Sequence, residues 1–142
     1  MKKMKTFLVK TSLIMVFSLF LFGCASTPNN FSEIPTDKIP GPGESLITIQ
    51  CEKSGVGSMI RMKIWIDDEE IASGIKNGKR IHIIIPKGNH MIQAGSTGID
   101  KGNSITFTTI DNEEILFLTK PAMGLFAARF NISETNRRIL SN

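Results

Sequence analysis

The chain has 142 residues, with 17 basic and 13 acidic side chains and a formal net charge of +4. Four of the basic residues are lysines that precede Cys24, so the rest of the chain carries 13 basic against 13 acidic side chains. This balance excludes the strongly basic surface that is typical of nucleic-acid-binding proteins. The part after Cys24 is long enough for one domain with a single modest core.

The amino end combines a lysine cluster with a short apolar stretch. Residues 11–22 carry no charge but are only twelve in number, whereas a membrane-spanning helix needs about 20 apolar residues. A basic region, a short apolar region and a small-residue cleavage site together are typical of a secretory signal. The sequence therefore predicts a signal peptide over residues 1–23.

The end of this segment, Leu21-Phe22-Gly23-Cys24, resembles the lipobox of bacterial lipoproteins. In that family the cysteine thiol receives a diacylglyceryl group, and the bond before the cysteine is then cut. The resemblance implies cleavage between Gly23 and Cys24, a lipid on Cys24 and the membrane as a partner. It implies the outer membrane in a host with two membranes, and the outer face of the plasma membrane in a host with one. The alternative is an ordinary signal peptide that is cut nearby and leaves Cys24 a plain thiol.

Residues 24–43 are predicted to be a flexible linker between the lipid and the domain. They contain four prolines and no apolar periodicity, and proline at this density favours an extended, poorly packed chain.

From residue 44 onward, apolar and polar residues alternate with the period of a β-strand. Ile60, Met62, Ile64 and Ile66 alternate with mostly polar residues, as in a half-buried antiparallel strand. The pattern predicts an all-β domain over residues 44–142, a small antiparallel, Ig-like β-sandwich of about eight strands. The predicted strands are 46–51, 60–67, 71–75, 80–85, 91–94, 104–110, 114–119 and 125–132, and a short helix is predicted over 133–140 with Ser133 as its N-cap.

Two side-chain patterns are best explained by structure alone. Cys51 falls on the apolar face of the first strand, so we expect a buried free thiol that forms no disulfide with a lipidated Cys24. Residues 67–70 are four consecutive acids. Their spacing lacks the glycine of a calcium loop, so they predict a solvated hairpin turn.

The run Ile66-Asp67-Asp68, the turn Asn77-Gly78 and the segment Pro86-Lys87-Gly88-Asn89-His90 resemble PEGA-like and DUF2846-type envelope domains. These families share a strand that ends in Ile-Asp-Gly, an Asn-Gly turn and a Pro-x-Gly-x-His turn. The resemblance implies a small β-sandwich in the bacterial envelope with no established reaction. Asp68 stands where these families usually have glycine, so we expect a looser turn at that place.

Few residues suggest chemistry. The sequence has no tyrosine and no Gly-x-Ser-x-Gly elbow, so it predicts neither an enzyme nor a catalytic residue, cofactor or metal site. Trp65 and His90 are the candidates for an interaction surface, although packing against a neighbouring strand is the preferred explanation of Trp65, and a ring that bonds to backbone at a turn or strand edge is the simplest explanation of His90. His82 and His90 could approach each other across a hairpin, but a metal site needs three or four ligands.

Three hypotheses of function remain. The first is a lipid-anchored, non-catalytic binding or assembly module for an envelope protein or a cell-wall component. The second is a purely structural accessory subunit of an envelope complex. The third is a metal- or ligand-binding enzyme accessory that uses His82 and His90. An open strand edge or an apolar patch around Trp65 would favour the first two.

Overall fold

Eight strands form two sheets that pack face to face. A computed structural model describes residues 34–55, 60–96, 101–123 and 128–141. Sheet A has the strand order β4-β1-β7-β8, and sheet B has the order β3-β2-β5-β6. The strands are β1 (Glu44–Cys51), β2 (Met62–Ile66), β3 (Glu69–Ile75), β4 (Arg80–Pro86), β5 (Gly88–Ser96), β6 (Lys101–Thr109), β7 (Glu113–Met123) and β8 (Ala128–Ile139). The predicted all-β sandwich of about eight strands is confirmed.

One strand pair departs from the antiparallel arrangement. β1 pairs with β4 antiparallel on one side and with β7 parallel on the other. A parallel pair needs a long crossover connection, and here all of sheet B is traversed between β1 and β7. Local alternation in the sequence gives no signal for such a distant pairing.

The core lies between the sheets and contains one face of each. Phe107 of sheet B meets Phe117 of sheet A edge to face, with ring centroids 5.1 Å apart. Cys51 is a buried free thiol in this core, as predicted. The other buried members are Ile47, Ile49, Met62, Ile64, Ile66, Ile75, Ile85, Ile92, Ala94, Ile115, Phe130 and Ile132.

The predicted C-terminal helix over 133–140 is wrong, because β8 continues through this stretch to Ile139. Ser133 pairs with Leu118 of β7 instead of capping a helix. Without this pairing, the backbone groups along one side of β7 would lack strand partners. Two arginines near the end of β8 also reach across to carboxylates of β7, at Glu113 and Glu114.

β7 is longer than predicted and runs through Pro121, where the sequence predicts a break. The carbonyl of Thr119 accepts a bond from Glu52 on the β1 side. Pro121 is two residues further on, so its nitrogen faces the same side, where the pairing with β1 has already ended at Thr119. Its missing N–H therefore costs no ladder bond.

The turn between β2 and β3 is tight, contrary to the expectation of a looser turn at Asp68. Only Asp67 and Asp68 separate the strands, and their φ angles are 52° and 67°. Positive φ at both central residues is the conformation of a two-residue hairpin turn that matches the strand twist. Aspartate tolerates this region better than most residues, so the turn forms without glycine.

The described chain begins inside the predicted linker. A short 3-10 helix, Thr36–Lys38, contacts β4, and Pro40 is buried. Gly43 donates its N–H to Asp111 and accepts a bond from the N–H of Lys87. Residues 36–43 are therefore fixed to the sandwich. The predicted signal peptide, Gly23 and Cys24 lie outside the described residues.

Within the described ranges, no helix has the length and apolar character needed to cross a membrane.

Candidate functional site

The two long sides of the sandwich differ in how their edge strands meet. On one side, β6 of sheet B lies against β8 of sheet A. Asn103 binds the backbone of Ile132 with its whole amide, since Oδ1 accepts from the N–H at 2.8 Å and Nδ2 donates to the carbonyl at 2.9 Å. Arg137 adds a bond from Nη1 to the carbonyl of Thr108 at 2.8 Å. We call this side the closed seam.

Gly102 allows the close approach at the closed seam. A Cβ atom on Gly102 would lie 1.8 Å from the carbonyl oxygen of Phe130 and 2.8 Å from that of Ala94. Both neighbours are backbone atoms of strands and cannot turn away as a side chain could. Only glycine fits at this position.

The opposite side of the sandwich is open. Here β3 is the edge of sheet B and β4 is the edge of sheet A, and no other described strand pairs with either edge. A groove of about 270 Å³ lies between them. It is lined by five isoleucines and, toward one end, by Pro86 and three polar residues; the isoleucines are Ile66, Ile71, Ile83, Ile84 and Ile85, and the polar residues are Asp67, Glu69 and His90. We call this feature the β3–β4 groove.

Along this groove, the backbone of β4 has groups with which no other described strand pairs. Cys51 donates its N–H to the carbonyl of Lys79 at 2.8 Å. By the register of the β1–β4 pair, Ile81, Ile83 and Ile85 also bond to β1. The N–H and C=O groups of His82 and Ile84 therefore face away from β1, toward the open side. Such groups are a template for pairing with another strand.

His90 joins the two sheets at one end of the groove. Its Nδ1 lies 2.7 Å from Oδ2 of Asp67, and its Nε2 lies 2.9 Å from the carbonyl oxygen of Pro86. Both partners are acceptors, so both bonds form together only when each ring nitrogen carries a proton. The other oxygen of Asp67 accepts from the N–H of Met91 at 2.8 Å. We call Asp67, His90 and Pro86 the clamp.

The hydrogen bond from His90, followed by that from Met91, holds the pKa of Asp67 below its ordinary value of 3.8. At the other end of the groove, the turn of residues 76–79 leads from β3 to β4. Asn77 fixes this turn through two bonds to the backbone of Ser54. Both ends of the groove are thus held in place.

The structure does not bring Trp65 and His90 together. Trp65 lies on the outer face of sheet B, half-buried, with Nζ of Lys101 5.3 Å from its ring centroid. His90 lies on the same inward face of β5 as Ile92. Its ring packs beside that of Phe107, with the ring centroids 5.9 Å apart. Packing accounts for Trp65, whereas His90 borders the groove.

His82 belongs to a buried polar cluster that sequence reasoning missed. It lies on the outer face of sheet A, and its Nδ1 is 2.9 Å from Oγ1 of Thr48. Thr48 donates its hydroxyl proton to Oε1 of Glu114 at 2.5 Å. Arg138 binds Oε2 of Glu114 at 2.6 Å. Because Thr48 gives its only proton to the carboxylate, His82 must donate to it from Nδ1.

Burial lowers the pKa of His82 below its ordinary value of 6.5, against a smaller opposing effect of the Glu114 charge. The imidazole is therefore neutral at neutral pH. Glu114 and Thr48 are both 0% exposed, so neither is accessible to a ligand. This cluster stabilises the outer face of sheet A. In the sequence, Glu114 directly precedes the uninterrupted apolar run 115–118, which is typical of a strand that is buried on both faces.

The two histidines do not approach each other across a hairpin. β4 and β5 follow one another in the chain but belong to different sheets, and each ring has its own partners. Among the residues that the structure describes, no three His, Cys, Asp or Glu side chains form a group that could hold a metal ion.

No protein-family model matches the chain, and no curated protein matches it. The resemblance to PEGA-like and DUF2846-type domains stays a prediction that rests on turn chemistry.

Proposed function

We propose that this protein is a lipid-anchored module of the bacterial cell envelope that binds a partner, without catalysis, in the β3–β4 groove. The observation that carries the proposal is the asymmetry of the sandwich. One side has a seam that is closed by side-chain amide and guanidinium bonds to backbone, and on the other side no described strand pairs with either of the two edges around the β3–β4 groove. Natural proteins usually protect such edges.

The anchor rests on the sequence. The lysine cluster, the short apolar segment and the lipobox ending at Cys24 support lipidation, and the neutral balance of the rest gives no support to a nucleic-acid partner. The partner class is an envelope protein or a cell-wall component. The membrane is the outer membrane in a host with two membranes and the plasma membrane in a host with one.

A purely structural accessory subunit is the second candidate, because an unpaired strand edge also suits permanent assembly with another subunit. The two candidates differ in the lifetime of the complex that the protein forms with its partner. A binding module exchanges its partner, whereas an accessory subunit is recovered only within the complex.

Site-specific photo-crosslinking in living cells tests the binding site. A photoreactive residue replaces Ile71, which lies in the groove and is 39% exposed. The matched control replaces Ile139, which is 62% exposed on β8, at the other edge of sheet A. We expect a discrete adduct from position 71 and none from position 139. Equal labelling at both positions, or no adduct at position 71, would contradict the proposal.

The Cys24→Ser variant tests the anchor. We expect it to incorporate no labelled fatty acid and to keep its signal peptide, since the thiol is the acceptor of the lipid. A variant that is processed normally and stays on the membrane would contradict the lipid anchor while leaving the groove proposal intact.

A further inference from the structure

We infer that the occupant of the β3–β4 groove is an extended polypeptide segment of another protein, which adds to β4 as a fifth strand of sheet A. This inference rests on the proposed function and specifies the chemistry of the partner. The size of the groove is the first argument. About 270 Å³ is less than the roughly 300–1,000 Å³ of pockets for drug-sized ligands, but a strand needs room only for alternate side chains.

The backbone of β4 supplies the second argument. The outward N–H and C=O groups of His82 and Ile84 are spaced for two hydrogen-bonded pairs with an incoming antiparallel strand. The last outward carbonyl, at Pro86, is already bound by His90 and by Thr109. The edge that is ready for pairing therefore ends at the clamp, where the groove also ends.

The side chains of the partner follow from this register. Residues of an antiparallel strand that lie opposite Ile83 and Ile85 share their inward face, so they enter the groove beside Ile71. These residues should be branched aliphatics. Residues opposite His82 and Ile84 lie on the outer face and should be polar or small. Their N–H groups are the ones that bond to β4.

Exposed charges lie at both ends of the groove. Glu69 is exposed at the clamp end of the groove, and Lys79 is exposed at the end where β4 begins. An antiparallel strand starts at the clamp end, where a basic residue near its amino end would meet Glu69 across the groove and Lys87 beyond the end of β4. An acidic residue near its carboxyl end would meet Lys79.

A second copy of this chain meets a charge conflict in one of the registers that the edge allows. Antiparallel pairing of two β4 strands in the register that joins Ile84 to His82 of the other copy would also place Lys79 opposite Lys87. Both lysines are exposed in the single chain, and like charges directly opposite each other destabilise a strand pair. The register that joins His82 to His82 places Lys79 opposite Ile85 and no two lysines opposite each other, so a dimer through β4 is an outcome that the test below must distinguish.

The probe is an end-blocked, eight-residue peptide with lysine first, glutamate last and alternating threonine and valine between them. Two backbone-methylated versions keep every side chain. One carries N-methyl groups on the valines, and the other carries them on the threonines. With the valines in the groove, the threonine N–H groups face β4. We expect methylation of the threonines to weaken binding at least tenfold and methylation of the valines to leave it within about twofold.

The measurements use the lipidated protein in detergent, with titration for affinity and amide hydrogen exchange for location. We expect the unmodified peptide to slow exchange at His82 and Ile84. The Ile84→Pro variant should lose binding, since it removes an outward N–H and no bond to β1. The two methylated peptides keep the test decisive if this variant does not fold.

Three results would overturn the inference: equal binding of both methylated peptides, no binding of the unmodified peptide, or a dimer that forms through β4. The proposed function and the added-strand inference can fail independently of each other. If crosslinking at position 71 gives a discrete adduct while the peptide does not bind, the groove binds a partner, but not as an added strand.

Discussion

At the scale of single residues, the two aspartates of the β2–β3 turn have different roles. Both have positive φ angles, but only Asp67 contributes to the clamp through its bonds to His90 and Met91. Asp68 is 4.0 Å from Lys101 in an exposed pair, which contributes little to stability. The left-handed conformation is therefore an uncompensated cost at Asp68.

We expect Asp68→Gly to raise the free energy of unfolding by about 0.5 kcal/mol, because glycine adopts positive φ without the Cβ clash. The matched control, Asp67→Gly, relieves the same backbone but removes the hydrogen bonds of the clamp, and we expect it to lose about 1–3 kcal/mol. Urea denaturation of both variants measures the difference. Equal effects of the two substitutions would show that the clamp contributes nothing.

The clamp also predicts a dependence of stability on pH. The pKa of Asp67 is lower in the folded protein than its ordinary 3.8, first because of the bond from His90. A depressed pKa contributes stability that is fully present above the unfolded value and is lost as the pH falls through the folded value. We expect Asp67→Asn to be less stable than the parent protein at pH 5 to 7 and the gap to close on acidification below about pH 4. A gap that persists at the lowest pH would contradict this origin of the stability.

At the scale of strands, β8 shows which features the sequence could not reveal. The alternation at Ile60, Met62, Ile64 and Ile66 predicted β2 correctly, because each residue's burial follows from the strand period. Ser133 and Glu134 favour a helix start, but pairing with β7 overrides that local preference. The groove also depends on which strands become sheet edges. That order is set by contacts between residues distant in the chain.

The ion pair of the buried Glu114 and the partly exposed Arg138 links β7 to β8 and offers a test of that pairing. Glu114 is 0% exposed, so Arg138→Leu would leave its charge without its guanidinium partner. We expect a loss of about 3 kcal/mol or more. The double variant Glu114→Leu with Arg138→Leu removes both charges and should be more stable than the single variant. A double variant that is less stable than Arg138→Leu would show that the attraction between the two charges, rather than the unpaired charge of Glu114, accounts for most of the stability at this site.

At the scale of the whole molecule, the closed seam holds the two sheets together while the β3–β4 groove stays open. Gly102 is the position on which that seam most depends, because the carbonyl of Phe130 occupies the space of a Cβ atom. We expect Gly102→Ala to lower the free energy of unfolding by about 1–3 kcal/mol, as overpacking does. Gly55→Ala is the control, since nothing lies within 4 Å of its Cβ position.

Amide exchange then locates the effect. In Gly102→Ala, exchange at Ile132 should speed up, because its bonds to Asn103 weaken when β6 moves away from β8. His82 and Ile84 already face the open side, so their exchange should change less. If exchange instead increased equally on both sides, the two edges would move as one unit. The groove would then not be an independent site that can accept a strand while the seam stays closed.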